Sequence, residues 1–345
     1  MAAYETVFDT LGLRDWCDAD KADAPLSMAQ LLAQTQGNDA EVEGSAGLPF
    51  PSLDTLHEAC ARIGQTRDLT EGLENGFLAI RSELKFVLDP ITQPLSWMLD
   101  GTLFVFEAAP WWVMIPALLL LTWLVSRSRS VTGFVAFVLL FFAFIDHYEV
   151  AMQTLAIVFV CTGISVLFGV PIGIGMSKSD TAQRSIVPIL DLLQTLPTFV
   201  YLIPLIFLFS VTESKLYGIA IILYAIVPVI RLTDLGIRLV DKDVIEAANA
   251  FGLTAWQKLS RVELPLALPN IMAGVNQTIM MSLAMVVIAS LVSAPGLGVL
   301  VLRGIRALDL GVGIVAGLGI VLLAVVLDRV SKAALGRVDT QAKSE

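Results

Sequence analysis

Seven apolar runs, at about residues 104–125, 131–146, 150–176, 186–211, 216–236, 270–292 and 311–330, most limit what this chain can fold into. Runs of about 17 to 25 residues match the thickness of a bilayer when helical, and a backbone in lipid must satisfy its own hydrogen bonds. The expectation is an all-α polytopic membrane protein with about seven membrane spans. A hydrophobic share of 56%, a charged share of 16% and a mean hydropathy of +0.77 exclude an ordinary soluble domain.

The net charge of −10 gathers ahead of these runs: residues 1–102 hold 17 acidic and 6 basic side chains, and the remainder hold 15 and 16. Residues 1–70 read as an acidic tail whose short apolar clusters flank the connector GNDAEVEGSAGLPFPS at 37–52. Residues 71–102 read as an amphipathic helix and linker. Leu73, Phe77, Ile80, Leu84 and Leu88 form its stripe, Glu74, Arg81 and Lys85 lie off it, and Asp89 and Pro90 close it. Such a helix could lie in the membrane interface or pack on the tail's own small core. The opening MAAYETVFDTLGLRDW has neither a basic n-region nor an apolar h-region, so no cleavable signal peptide is expected.

Lys and Arg in the connections set the orientation. Arg127, Arg129, Lys178, Arg184, Arg231, Arg238, Lys242, Lys258, Arg261, Arg329, Lys332 and Arg337 fall on one side. DHYE at 146–149, Lys215, Arg303 and Arg306 fall on the other. The first side is therefore read as cytoplasmic, together with the C-terminal tail at 333–345; an odd span count puts the N-terminal tail outside. If the short run 131–146 does not cross, that tail moves inside. Cys17, Cys60 and Cys161, with His57 and His147, have no metal-ligand spacing, so no metal site is expected. Cys161 reads as a packed small residue, and Cys17 could pair with Cys60 if the tail faces an oxidising compartment.

One polar stretch breaks the pattern: EAANAFGLTAWQKLSRVELPLALP at 246–269. Asp243 with Glu246 suggests a helix start, Gly252 a stop, and Thr254 with Gln257 a capping box opening a second helix that runs to Pro265. A helix–glycine–helix knob carrying Phe251, Leu253 and Trp256 implies a covering partner; an ordinary connecting loop is the bland alternative. The residues Glu246, Ala247, Ala248, Gly252, Val262, Leu264 and Pro265 have the spacing of the EAA motif and resemble ABC importer permeases of type I. In that family the knob is the coupling helix that docks on a separate ATPase.

The stretches LLQTLPTFVYLIP (192–204), LPLALPNIMAGVNQTIMMSLAMVVIASLV (264–292), GLGVLVLRGIRALDLG (296–311) and GLGIVLLAVVLDR (317–329) are similar to permeases of the glycine betaine, proline betaine, choline and trimethylamine N-oxide branch. The resemblance covers about residues 95–332. It implies a type I importer transmembrane domain at 103–332 with its coupling loop at 241–265. Its implied partners are a second copy of the chain, two ATPase subunits, an extracytoplasmic solute-binding protein and lipid, without nucleic acid. It also implies a bacterial inner membrane location, in which the tail placed outside by the odd span count would be periplasmic. No GxxxxGK[ST] loop occurs, so ATP and Mg would be bound by the partner ATPase and no cofactor by this chain.

Within the loop, Gly252 is expected to permit the turn while Ala247, Ala248 and Phe251 form the contact face. Glu246 either caps its helix or pairs with a basic residue of the partner. For the translocation path the candidates are polar residues inside spans: Gln194, Thr195, Asn276, Gln277 and Thr278, with Pro197 and Pro204 breaking a helix. Interhelical packing is the competing role for these polar side chains and for Gln153–Thr154. Tyr201 and Phe199 could face a methylated cation or simply pack. Asp191 is expected to pair or snorkel. A permease of the same architecture for another solute such as an amino acid, or an ATP-independent secondary transporter, are the alternatives.

Overall fold

The computed structural model describes Phe8, residues 10–13 and residues 66–342. The connector at 37–52 and the Cys17–Cys60 pairing lie outside these residues. The chain divides into two compact units, Met1–Ser82 and Glu83–Glu345. In the first, Leu13 donates to the Phe8 carbonyl at 2.9 Å just past Gly12, whose φ is +65°. The interactions that follow belong to the second unit.

The described residues form helices without a strand: α1 (Thr66–Ala108), α2 (Trp111–Ser126), α3 (Arg129–Phe144), α4 (Tyr148–Lys178), α5 (Asp180–Thr195), α6 (Thr198–Leu208), α7 (Ser214–Arg238), α8 (Lys242–Ala250), α9 (Ala255–Lys258), α10 (Leu264–Ala289), α11 (Leu297–Ala307) and α12 (Leu310–Ala342). A π-helical turn, Leu259–Glu263, joins α9 to α10. Four helical stretches are individually long and apolar enough to span a bilayer: Tyr148–Lys178, Ser214–Arg238, Ala255–Val292 and Leu310–Gly336. Two bent pairs, α1 with α2 and α5 with α6, raise the number to six, and α3, at 16 residues, is shorter. The expected span 104–125 is therefore broken, and 186–211 is broken at Pro197 as expected, whereas Pro204 lies inside α6 without breaking it. The first bends by 117° at Pro110 and the second by 102° at Pro197, because the residue before a proline is pushed out of helical geometry.

Asp89 and Pro90 do not close the amphipathic segment. α1 continues through Pro90 and Pro94 to Ala108. Each proline removes one helical hydrogen bond. The hydroxyl of Thr92 adds one to the Leu88 carbonyl at 2.8 Å, and Leu95 and Leu99 are buried beside Gly218 of α7. Asp89 itself is held at 2.6 Å by Lys215, only 5% of whose side chain is exposed. Lys215 also lies 2.8 Å from Glu213 and 5.1 Å from the centroid of the Phe209 ring. Burial alone would raise the Glu213 pKa, but Lys215, with Lys85 at 3.6 Å, outweighs it and holds the carboxyl below its ordinary value.

The core is the bundle of α4, α7 and α10, in which glycines permit close backbone approach. A Cβ added at Gly173 would stand 2.7 Å from the Ile230 carbonyl, and one at Gly274 would stand 3.0 Å from the Cα of Val229. Ile237, Ala267 and Ile271 close the packing at one end of this bundle, with Val170 and Ile174 against them. Cys161 is buried and free, as the sequence suggests. Gly173→Val is expected to cost about 3 kcal/mol or more by overpacking. Gly175→Val, where a Cβ meets nothing within 4 Å, is expected to stay within about 1 kcal/mol. Thermal unfolding of the two purified variants side by side checks the contrast.

Candidate functional site

Only three residues separate α7 from α8, so α8 starts early. Its N-cap is Asp241, whose side chain accepts from the Asp243 N–H at 2.9 Å. Asp243, expected as the cap, instead lies in the first turn, where its charge favours the helix dipole. The end of α8 forms a Schellman motif: Leu253 N–H donates to the Ala248 carbonyl at 3.2 Å and Gly252 N–H to Asn249 at 3.0 Å. Gly252 sits at φ +72°, so the expected glycine turn is present. The capping box is present as well, with Gln257 N–H reaching Thr254 Oγ1 at 3.3 Å and Thr254 N–H reaching Gln257 Oε1 at 2.9 Å. Lys258 Nζ bonds Asn249 Oδ1 at 3.1 Å and ties the two short helices together.

Pro265 does not end the second helix. The π-helical turn just before it shifts the register, Leu264 N–H donating to the Leu259 carbonyl, so that the proline falls in the first turn of α10. Helix Ala255–Val292 is continuous for 38 residues.

Phe251 is 88% and Trp256 73% exposed at the tip of this knob, beside exposed Glu246 and Ala247. Ala248 is buried and belongs to the inside of the knob, not to its outer face. Leu264 is half-buried against the cluster of Ile237, Ala267 and Ile271, whereas Pro265 is exposed. These two residues form the root of the knob.

Both roots are fastened to the corner between α4 and α5. At the α7 end, Arg238 donates to Asp234 at 2.9 Å, to Asp180 at 2.8 Å and to the Met176 carbonyl at 2.9 Å. Gln183 adds a 2.7 Å bond to buried Asp234. At the α10 end, Glu263, 6% exposed, pairs with Lys178. Sequence reasoning used Lys178 and Arg238 only for orientation and overlooked Asp180, Gln183, Asp234 and Glu263. The available signal was an acid at each end of a loop bounded by apolar helices.

The path candidates separate by environment. Asn276 is engaged between helices: its amide donates to Asp328 at 3.2 Å and its carbonyl accepts from Ser331. Thr278 is buried with no partner for its hydroxyl, and Gln277 is exposed. Gln194 is half-buried, while Thr195 and Pro197 are exposed. Tyr201 lies on α6, with its side chain outside the described set, and α6 contacts both α7 and α10. Thr154 is structural: it accepts from the Leu297 N–H at 2.8 Å, while Gln153 donates to Glu107 at 2.8 Å. Asp191 pairs with Arg231, as expected.

A bundle with broken spans and a braced, apolar-tipped knob between two of its helices defines a transport permease of the type I ABC importer fold. An inward-facing structure of the MetNI methionine ABC transporter shares this fold, with TM-score 0.50 and 20% identity over 54% of this chain and 93% of that one. The chain belongs to the family of binding-protein-dependent transport system inner membrane components, whose family model matches residues 165–340. It is a multi-pass inner membrane protein.

Among its relatives is the glycine betaine/proline betaine transport system permease protein of Escherichia coli (strain K12), 38% identical over 87% of this chain and 84% of that protein. The glycine betaine transport system permease protein of Bacillus subtilis (strain 168) is 44% identical over 66% of this chain and 76% of its own length. The trimethylamine N-oxide transport system permease protein of Ruegeria pomeroyi is 40% identical over 55% of this chain but 29% of its own length.

Truncating Glu263 to Ala strands Lys178 and should cost about 1–3 kcal/mol, less than a fully buried pair because Lys178 is 43% exposed. A double-mutant cycle with Lys178→Ala, read by thermal unfolding, is expected to return a coupling of at least about 1 kcal/mol.

Proposed function

We propose that this chain imports a small methylated ammonium-type solute of the glycine betaine, choline or trimethylamine N-oxide class by alternating access, driven by ATP that a partner subunit hydrolyses. The coupling reading rests on one observation: a knob held at both roots by ion pairs presents Phe251 and Trp256 to solvent. Large exposed rings on an otherwise charged loop mark a surface that another protein covers. The solute class rests on the names of the relatives at 38–44% identity. The methionine transporter likeness, at 20% identity, concerns fold and gives no weight to an amino-acid solute.

In this reading two copies of the chain pair, and each places residues 241–265 in a groove of an ATPase that binds ATP and Mg. A solute-binding protein delivers solute from outside. Ala247, Phe251 and Glu246 make the contact, Gly252 and Ala248 shape it, and Leu264 with Pro265 carry its movement into α10. Gln194, Thr195, Pro197, Tyr201, Gln277 and Thr278 line the path, while Asn276 braces it from the α12 side. Lys and Arg asymmetry puts the loop and C-terminus in the cytoplasm; with the short helix α3 counted as a seventh crossing, the acidic tail, 1–70, falls in the periplasm. The segment 71–102 leads from that tail into the permease domain, 103–332.

The test is uptake of labelled glycine betaine, choline and trimethylamine N-oxide in cells making the chain with its ATPase and binding protein. Native chain should take up at least one solute. Gly252→Arg, which forces a bulky residue into φ +72°, should lose at least about tenfold at unchanged membrane level. No uptake of any of the three overturns the solute class; normal uptake by the variant overturns the coupling role. Phe251→Glu is expected to lower solute-stimulated ATP hydrolysis without changing the thermal stability of the purified permease, because its ring touches mainly solvent.

A further inference from the structure

Beside the last turn of α1, helices α2, α3, α4 and α12 enclose a crevice of about 530 Å³, within the range of small-molecule sites. Its walls are aliphatic and aromatic, Leu118, Val138, Phe159 and Leu323 among them, and Thr122 is the single hydroxyl-bearing residue of its lining. A dry apolar space inside membrane-spanning helices forfeits dispersion contacts unless something apolar fills it. One end of the crevice is bounded by Val125 of α2 and Val330 of α12.

Three arginines gather at that end. Arg127 caps α2 two residues past Val125, Arg129 opens α3, and Arg329 adjoins Val330. Two of them are seated on rings: the Arg127 guanidinium is 5.9 Å from the centroid of Trp123 and that of Arg329 is 4.9 Å from Phe134. Among the described residues none of the three pairs with a carboxylate, and neighbouring Asp328 is engaged by Lys332 and Asn276. The arginine end is also the coupling-loop end. Asn276 of α10 bonds Asp328 and Ser331 of α12, so the antiparallel pair places the start of α10 alongside the last turns of α12.

We propose that this crevice holds one acyl chain of an anionic glycerophospholipid, drawn from the leaflet on the coupling-loop side, with its phosphate among Arg127, Arg129 and Arg329. Guanidinium groups match a phosphate in charge and fork geometry, and ring-seated arginines lose little freedom on binding it. A second copy of the chain is the poorer occupant, since an apolar helix brings no anion and is about 10 Å across with its side chains.

The test uses the full-length chain in its purified assembly. Native mass spectrometry should retain phosphatidylglycerol through detergent exchange that strips phosphatidylcholine of the same acyl chains. Each of Arg127→Gln, Arg129→Gln and Arg329→Gln should weaken that retention by about fivefold. Phosphatidylglycerol with a photoreactive acyl terminus should label peptides of α2 and α12 that face the crevice, a readout that needs no variant. Ala117→Trp, which narrows the crevice, should abolish that labelling while thermal unfolding stays within a few degrees of native. Should Ala117→Trp fail to fold, the native-chain labelling and the three arginine variants decide the matter. Equal retention of both lipids, retention indifferent to the arginines, labelling spread evenly over all lipid-facing helices, or a copy-to-copy disulfide from Leu118→Cys would each overturn the proposal.

Discussion

The close approach of α4, α7 and α10 is the contact on which the rest of this molecule depends. Gly173 and Gly274 let these helices meet backbone to backbone, and without hydrophobic drive between helices in lipid such packing is a main source of adhesion. Because α4 touches both partners, its C-terminal corner lies where α7 leaves the bundle and where α10 enters it. Arg238 and Glu263 can therefore both reach the same corner, at Met176, Lys178 and Asp180. The ion pairs at the roots of the knob are consequences of the glycine contact, since a bulkier side chain at position 173 would carry the corner away from them.

Local signals in the sequence translated into local structure. The capping box at Thr254 and Gln257 and the turn at Gly252 depend on atoms within a few residues, so spacing alone identified them. Misreadings arose where a neighbouring element decided the outcome. Asp241 took the cap from Asp243 because α7 ends so close by. Pro265 and Pro90 failed to stop their helices because a π-helical turn relieves the first and the Asp89–Lys215 pair anchors the second. The ion pairs Lys178–Glu263 and Arg238–Asp180 join residues 85 and 58 positions apart, a relation that periodicity cannot express.

Polar residues inside the spans sort in a similar manner. Thr154 and Asn276 have the same composition signal as Thr278 and Gln277, yet the first two are consumed by contacts to Leu297 and to Asp328 with Ser331. Thr278 keeps a buried hydroxyl without a partner, and an unsatisfied polar atom in a core is normally eliminated unless something else uses it. That difference is available only once partners are counted, and it separates Thr278 from its neighbour Asn276.

In the proposed coupling, the continuous helix from Ala255 to Val292 would carry movement of the knob from one side to the other. At 1.5 Å per residue its 38 residues are about 57 Å long, more than the hydrocarbon core of a bilayer. Its far end turns through Ser293, at φ +87°, into the corner before α11, where Thr154 of α4 accepts from Leu297 and Ser293 donates to the Val211 carbonyl. A displacement applied at Trp256 would thus arrive, along one continuous helical stretch, at the corner that joins α4, α10 and α11. The ion pairs at the loop end and the hydrogen bonds at the corner are then two ends of a single lever. Its π-helical turn, Leu259–Glu263, lies next to the point where force would enter, and Glu263, which ends that turn, is also the residue that Lys178 holds. The lever can pivot there only if this pair slides or breaks, which makes a partly exposed ion pair a better fastening than a fully buried one.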